Sequence, residues 1–429
     1  MQTKNPFSKQ EVIQSLQSSI IENLHHPANL ERLYRSGKGL FREAFESVYA
    51  SHSHELSAQI WQERLHPQEP ASLIIDKKEV AMVFVVAMVS GIIANLPKLL
   101  GMDTDVFLQR NIGFVVFPML MVFFGWKNKL SAKQLMLPFL AVITAAYYIN
   151  RIPHNENSDS FILAAIHLPI FLWSLLGFTF AGADEKNLEA RIEYLKFNGN
   201  FVVMTAIIML SGFLFSGITI GLFEMIGMSI GEFYGEYILT WALPAVPIVS
   251  TYLVQKNPQL VNRISPTIAR IFTPIVLVTL VIFLIAMAAV GKNVYDDRNL
   301  LVVFNALLIG VMSIILFSIT EAAKGQLHRI QLFFLITLSI LTVIANGIAL
   351  SAILFRLFEF GITPNRIAVL GANLLIFLHL IWVARTLIQR WNGQQEITAV
   401  EKAIARFLPV YAIWTAVVTF VLPAVFGFR

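Results

Sequence analysis

Cysteine is absent from this 429-residue chain, so disulfides, thiolate metal sites and cysteine nucleophiles are excluded. Charge is scarce too. Only 14% of residues are charged while 56% are hydrophobic, against roughly a quarter charged in soluble domains. The solvent for most of this chain is lipid. Walker, dinucleotide-binding and Gly-x-Ser-x-Gly patterns are missing, which removes support for nucleotide-driven transport and serine hydrolysis and implies no cofactor. No long apolar run holds an aspartate, which weakens an ion-pump reading. The first 24 residues lack the basic start, apolar middle and cleavage site of a secretory signal, so the N-terminus is expected to stay in the cytoplasm.

What charge there is points to membrane topology. The formal net charge is +5, yet residues 1–76 hold seven Lys and Arg against nine acids. The basic excess lies in loops further along, and nucleic acid is not an expected partner. Residues 1–76 read as a small cytoplasmic helical bundle. Ser8 and Glu11 have capping-box spacing, and Val12, Leu16, Ile20 and Leu24 recur at helical intervals. Short amphipathic helices follow, carrying Phe41, Ala44, Phe45, Val48 and Tyr49, then Leu56, Ile60, Trp61 and Leu65. A core this thin leans on the membrane domain or on a cytoplasmic protein partner. His54-Glu55 fails the zinc pattern because Ala58 stands where the second histidine belongs, and the adjacent His25 and His26 point apart on a helix. No metal site is expected.

Residues 77–429 read as one membrane domain of about eleven spans, each able to cross a hydrocarbon core of roughly 30 Å. The apolar limits fall at 79–97, 111–126, 134–150, 161–183, 200–223, 236–255, 267–290, 300–320, 331–355, 366–388 and 403–427. The fold class is therefore all-α, a polytopic helical membrane protein. Lys127, Lys129 and Lys133 mark one inner loop; Arg385, Arg390, Lys402 and Arg406 flank another, and the segment from Glu224 to Glu236 has no basic residue. These fit an N-in, C-out orientation. Trp126, Tyr147, Tyr148, Trp241 and Trp391 suit interfacial anchors. Pro118, Pro138, Pro169, Pro244, Pro247, Pro274, Pro409 and Pro423 fall within or near spans, and Ala242 to Pro247 is expected to leave carbonyls without helical partners, as in discontinuous transporter helices. Counting alone allows the first five spans and the next five to form inverted halves. Gly217 and Gly221, with Gly212, offer a close-packing surface, expected within the monomer, with dimerisation as the alternative.

The stretch from Arg356 to Arg366 concentrates charge between two apolar runs. Arg356 and Glu359, three apart, share a helix face and are expected to pair at the membrane boundary. Gly361 reads as the helix stop, and Thr363-Pro364 as the cap and first turn of the next helix. Inside the spans the polar residues are His167, Asn305, Asn346, Asn373 and His379, with Glu224 and Glu321 near ends. Buried polar groups in spans face a bundle interior or cavity. Arg356, Glu359, Asn346, His379, Asn373 and His167 are therefore the candidate substrate-binding residues, and no catalytic residue is assigned. Ordinary interhelical hydrogen bonding, worth about 0.6 kcal/mol each, is the competing explanation.

Asp103-Thr-Asp105 and Asp296-Asp297, in expected outer loops, would be oxygen ligands for a divalent ion in a membrane enzyme acting on a lipid-linked substrate. Solvated loop carboxylates are the plainer account. The reading carried forward is transporter- or permease-like handling of a small solute or lipid. A scaffold or sensor working through residues 1–76 is the alternative of a different class, and the enzyme stands third.

Asn29 to Ser36, with Phe41, Ala44-Phe45, Tyr49 and Trp61 to Leu65, resembles the N-terminal region of bacterial membrane proteins grouped as domain of unknown function 4153. The run Phe360-Gly-Ile-Thr-Pro-Asn-Arg366 resembles that family's turn before a late span. The resemblance implies a bacterial inner-membrane protein of uncharacterised activity and supplies no catalytic residues.

Overall fold

The computed structural model describes residues 9–65, 76–153, 155, 158–184, 186–256, 264–290, 295, 298–322 and 329–428, with the side chains of 9–11, 264–269, 290, 298–299 and 321–322 excepted. Ser8, Asp296 and Asp297, and the side chains of Glu11 and Glu321, lie outside the described residues. The chain divides into two compact units, Met1–Glu79 and Val80–Arg429. Among the described residues all regular structure is helical.

The first unit holds α1 (Lys9–Glu22), α2 (Pro27–Ser36), α3 (Lys38–His52) and α4 (Leu56–Leu65). On α3 the spacing of Phe41, Ala44, Phe45 and Val48 puts all four on one stripe, and all four are buried with Ile20, Leu24, Leu30, Trp61 and Leu65. Tyr34, Phe41 and Trp61 form an aromatic triangle with centroids 5.2 to 5.7 Å apart. The expected face of α4 is corrected. Ala58, Trp61 and Leu65 are buried, whereas Leu56 and Ile60 are exposed, because at 100° per residue the two sets point to opposite sides. Glu31 accepts from Arg35 at 2.7 Å and meets Arg64 at 2.6 Å. Arg64 also lies 4.6 Å from the Trp61 ring centroid. His25 stands 3.4 Å from Glu55.

In the second unit eleven helices are long and apolar enough to cross a membrane. They are α5 (Lys77–Leu100), α6 (Thr104–Lys127), α7 (Ala132–Arg151), α8 (Asp159–Phe180), α9 (Leu188–Met225), α10 (Gly231–Lys256), α11 (Ile264–Val290), α12 (Arg298–Ala322), α13 (Arg329–Phe360), α14 (Pro364–Trp391) and α15 (Ile397–Val425). Most outrun their apolar stretches, since a helix can continue past the membrane surface as long as its cap lies further out. Asp103 caps α6 through its bonds from the Asp105 and Val106 amides. Ser131 and Gln134 form a capping box on α7. Asn187 caps α9, which runs 38 residues, about 57 Å at 1.5 Å per residue.

Two apolar cores organise this unit. The first gathers α5 to α8, the beginning of α9 and, through Ile248 and Val254, α10. The second gathers α11 to α15, with Ile192 of α9. The division does not fall between the fifth and sixth spans, as an inverted five-plus-five arrangement requires: α10 packs with the first group, and α15 completes the second.

Prolines do not break these helices. Pro118, Pro138, Pro169, Pro244, Pro247, Pro274 and Pro409 all lie inside continuous helices, which corrects the expected discontinuity. A proline still deprives the carbonyl four residues earlier of its donor. For Pro244 that carbonyl is Thr240, which faces the Asn95 amide at 3.4 Å. For Pro409 it is Ala405, which accepts from Arg191 at 3.1 Å. A π-helical turn at Tyr234–Leu239 precedes the Pro244 segment, and another at Val417–Val421 has its Phe420 carbonyl bonded by the Tyr148 hydroxyl at 3.0 Å. Close helix approach is carried by Gly199 against Phe317 and Gly371 against Trp414. Among the described residues, Gly212, Gly217 and Gly221 have no neighbour within 4 Å of where a Cβ would sit, so the packing expected for them within the monomer is not seen there.

Two expected outcomes follow from these contacts. Asn95→Leu should cost about 1–3 kcal/mol by leaving the Thr240 carbonyl without a donor, and the cost should shrink in a Pro244→Ala background, which restores the backbone N–H. A double-mutant cycle on thermal unfolding in detergent reads the coupling. In the first unit, the hydrogen bond from Arg35, with Arg64 nearby, holds the Glu31 carboxyl below the usual glutamate range. A lowered folded-state value stabilises above the ordinary glutamate pKa, and the contribution is lost as pH falls through the lowered value. Protection factors of the amides in α2 and α4, corrected for the intrinsic exchange rate, should therefore fall less between neutral and acid pH in Glu31→Gln than in the wild type.

Candidate functional site

The hinge between α13 and α14 folds as its residues dictate. Gly361 takes φ +80, the left-handed conformation that ends a helix. The Thr363 hydroxyl accepts from the Arg366 amide at 3.3 Å, and Pro364 opens α14. Arg366 turns its Nη1 back onto the Phe360 and Gly361 carbonyls, at 2.7 and 2.5 Å, satisfying acceptors that the helix end leaves free.

The expected Arg356–Glu359 pair does not form. Arg356 donates to the Tyr295 carbonyl at 3.2 Å and lies 5.5 Å from the Phe360 ring centroid. Glu359 is exposed, and among the described residues it has no ion-pair partner. The physical reason is a tertiary contact. A carbonyl in the α11–α12 connection, at the membrane boundary, competes successfully with a carboxylate that water already solvates.

Deeper in the second core, three helices bring polar groups to one level. Asn346 of α13 is wholly buried, and among the described residues neither its carbonyl nor its amide nitrogen has a partner. The antiparallel α13–α14 pair sets Gly347 against Phe377, so His379 stands beside Asn346 in depth. Counted from Phe355, where the apolar run ends, that depth is about 14 Å along the helix at 1.5 Å per residue, near the middle of a core of about 30 Å. His379 is wholly buried and stacks on Phe407 with centroids 4.4 Å apart. Its Nδ1 meets the Tyr411 hydroxyl at 3.0 Å, and that hydroxyl also reaches Met312 Sδ at 3.5 Å. Either tautomer leaves the buried Nε2 without a partner. Asn305 of α12, also buried with its Oδ1 unpartnered, neighbours Phe304, which shares a small cluster with Ala345 beside Asn346.

The remaining candidates lie elsewhere. Asn373, level with Ser351, spends its amide on the Val369 carbonyl at 2.9 Å and keeps a free Oδ1. His167, on α8 and half-buried, bonds the Leu163 carbonyl at 2.9 Å. Arg356, Glu359 and Asn373 belong to the hinge end of the bundle. Of the six, Asn346 and His379 stand at the same depth, on α13 and α14.

One buried charge cluster escaped the sequence. Lys196 of α9 is buried and sits 3.2 Å from Glu193 and 3.4 Å from Glu401 of α15. The apolar limits placed residues 184–199 in a loop, whereas α9 starts at Leu188. Asn187, a good capping residue three before Ala190, was the available signal. Tyr411 was also missed, being an ordinary aromatic until α15 is packed on α14. Among the described residues no three His, Asp or Glu side chains stand close enough to share a metal, and Asp103 is engaged as a cap.

No family model, curated protein or solved structure matches the chain.

Removing one member of a buried ion pair costs more than removing both. Lys196→Met should lower stability by about 3–5 kcal/mol, and adding Glu401→Leu should recover part of it. Thermal unfolding of the two variants in the same detergent checks the order.

Proposed function

We propose that this multi-pass helical membrane protein is permease-like and handles a small solute or lipid in the interior of α12 to α14, with α15 closing one side. The observation that carries the reading is Asn346, fully buried with no hydrogen bond on either amide atom, level with the free Nε2 of His379. A buried amide without partners costs about 1–3 kcal/mol. In an apolar bundle that cost is retained where the group serves a ligand.

The donors and acceptors there are neutral, so they suit a hydroxyl, amide or carbonyl group rather than an ion. His379 is oriented for this by Phe407 and Tyr411. The proposal includes a bacterial inner-membrane location with the N-terminus inside, among proteins of the domain of unknown function 4153 family. The bundle of residues 1–76 would then be the cytoplasmic docking module.

The test separates structure from ligand binding. Asn346→Leu should leave the unfolding midpoint unchanged or raised, because it removes an unpaired polar group and adds apolar contact. The same change should deplete whatever small molecule co-purifies with the wild type, compared by untargeted mass spectrometry. A large drop in stability, with the co-purified material unchanged, would make Asn346 a structural residue and end the proposal.

A further inference from the structure

The hinge carries a second site, independent of the interior one. We infer that Arg356 and Arg366 bind the phosphate of an anionic phospholipid.

A short turn between two spans lies at the membrane–water boundary, where lipid phosphates are concentrated. There the two guanidinium groups gather on one ring, at 5.5 and 5.7 Å from the Phe360 centroid. Each commits a single terminal nitrogen to backbone: Arg356 to Tyr295, Arg366 to Phe360 and Gly361. Their other N–H donors are unspent, and among the described residues neither has a carboxylate partner. By those distances the two guanidinium carbons lie within about 11 Å of each other, and an anion taking the spare donors offsets both charges. Arginine's planar fork matches a phosphate's oxygens.

Charge and surface together select a lipid over a free phosphate. Glu359, on the same turn and exposed, pairs with neither arginine, so the hinge has one net positive charge to offset, as a monoanionic phosphodiester would. Phe358 is 82% exposed, Ile362 64% and Phe360 58%. These apolar side chains flank the cations and offer contact to acyl chains, which an inorganic anion lacks.

The experiment titrates the purified full-length protein, in a zwitterionic phosphatidylcholine background, with phosphatidylglycerol and separately with inorganic phosphate, reading bound lipid by native mass spectrometry. Wild-type protein should take up phosphatidylglycerol saturably. Arg356→Gln should weaken that uptake about fivefold, the loss of roughly one arginine's attraction at a membrane surface. Arg366→Lys, which keeps a charge and a donor for the Phe360 carbonyl, should weaken it through loss of the fork and serves if Arg356→Gln fails to fold. Phe358→Ser should weaken phosphatidylglycerol uptake without touching a cation. Undiminished uptake by both arginine variants would overturn the site. Displacement of the lipid by millimolar phosphate, with no effect of Phe358→Ser, would assign the arginines to a soluble anion and overturn the lipid reading.

Discussion

In hydrocarbon there is no water to complete an unpaired peptide group, so every carbonyl freed by a proline, a widened turn or a helix end needs a donor from the protein. Much of the polar content of this membrane unit answers that need. Asn95 serves the carbonyl that Pro244 orphans, and Arg191 the one that Pro409 orphans. Arg110 and Asn128 reach the last carbonyls of α7 and α8. Arg366 and Arg356 do the same around the hinge. Because each donor lies outside the segment it serves, satisfying the backbone also fixes which segments lie together.

That requirement sorts the polar residues of the spans. Most are engaged with backbone, and these stitch the fold. A residue such as Asn346 stands out because it is buried as deeply as any of them and serves no backbone group. Asn305 and His379 keep one such atom each. All three lie on α12 to α14. The first core packs around Phe123, Phe124, Phe180 and Phe197, and its helices keep single unpartnered atoms on Ser160, Asn200 and Ser250. Arg191 and Lys196 of α9 tie α9 to α15 near the ends where both begin, which holds the two groups in register.

The hinge shows how a local motif and a tertiary contact diverge. Gly361, Thr363 and Pro364 behave as their conformational preferences require, since a left-handed stop and a capped first turn need only neighbouring residues. The partner of Arg356 could not be read the same way. Three-residue spacing makes an ion pair with Glu359 geometrically available, but the choice depended on a carbonyl from a connection 61 residues away. Lys196 failed for a related reason: a hydropathy limit marks where lipid contact ends, and a helix begins where its cap lies. Prolines read as breaks proved to be interior residues, and at Pro244 and Pro409 donors from α5 and α9 serve the freed carbonyls.

By itself the sequence determined the class, a chain of eleven apolar helices after a small helical bundle, because burial in lipid follows from the summed hydrophobicity of each run. It also determined the stop and cap of the hinge, at Gly361, Thr363 and Pro364, and the stripe of α3, all of which are local. Only the tertiary structure decided the membership of the two cores, the pairing of Lys196 with Glu401, the open space that the described residues leave at Gly217 and Gly221, and the common depth of Asn346 and His379. Those depend on which helix faces are turned toward each other, and apolar faces that look alike in sequence differ only in the shapes and donors they meet.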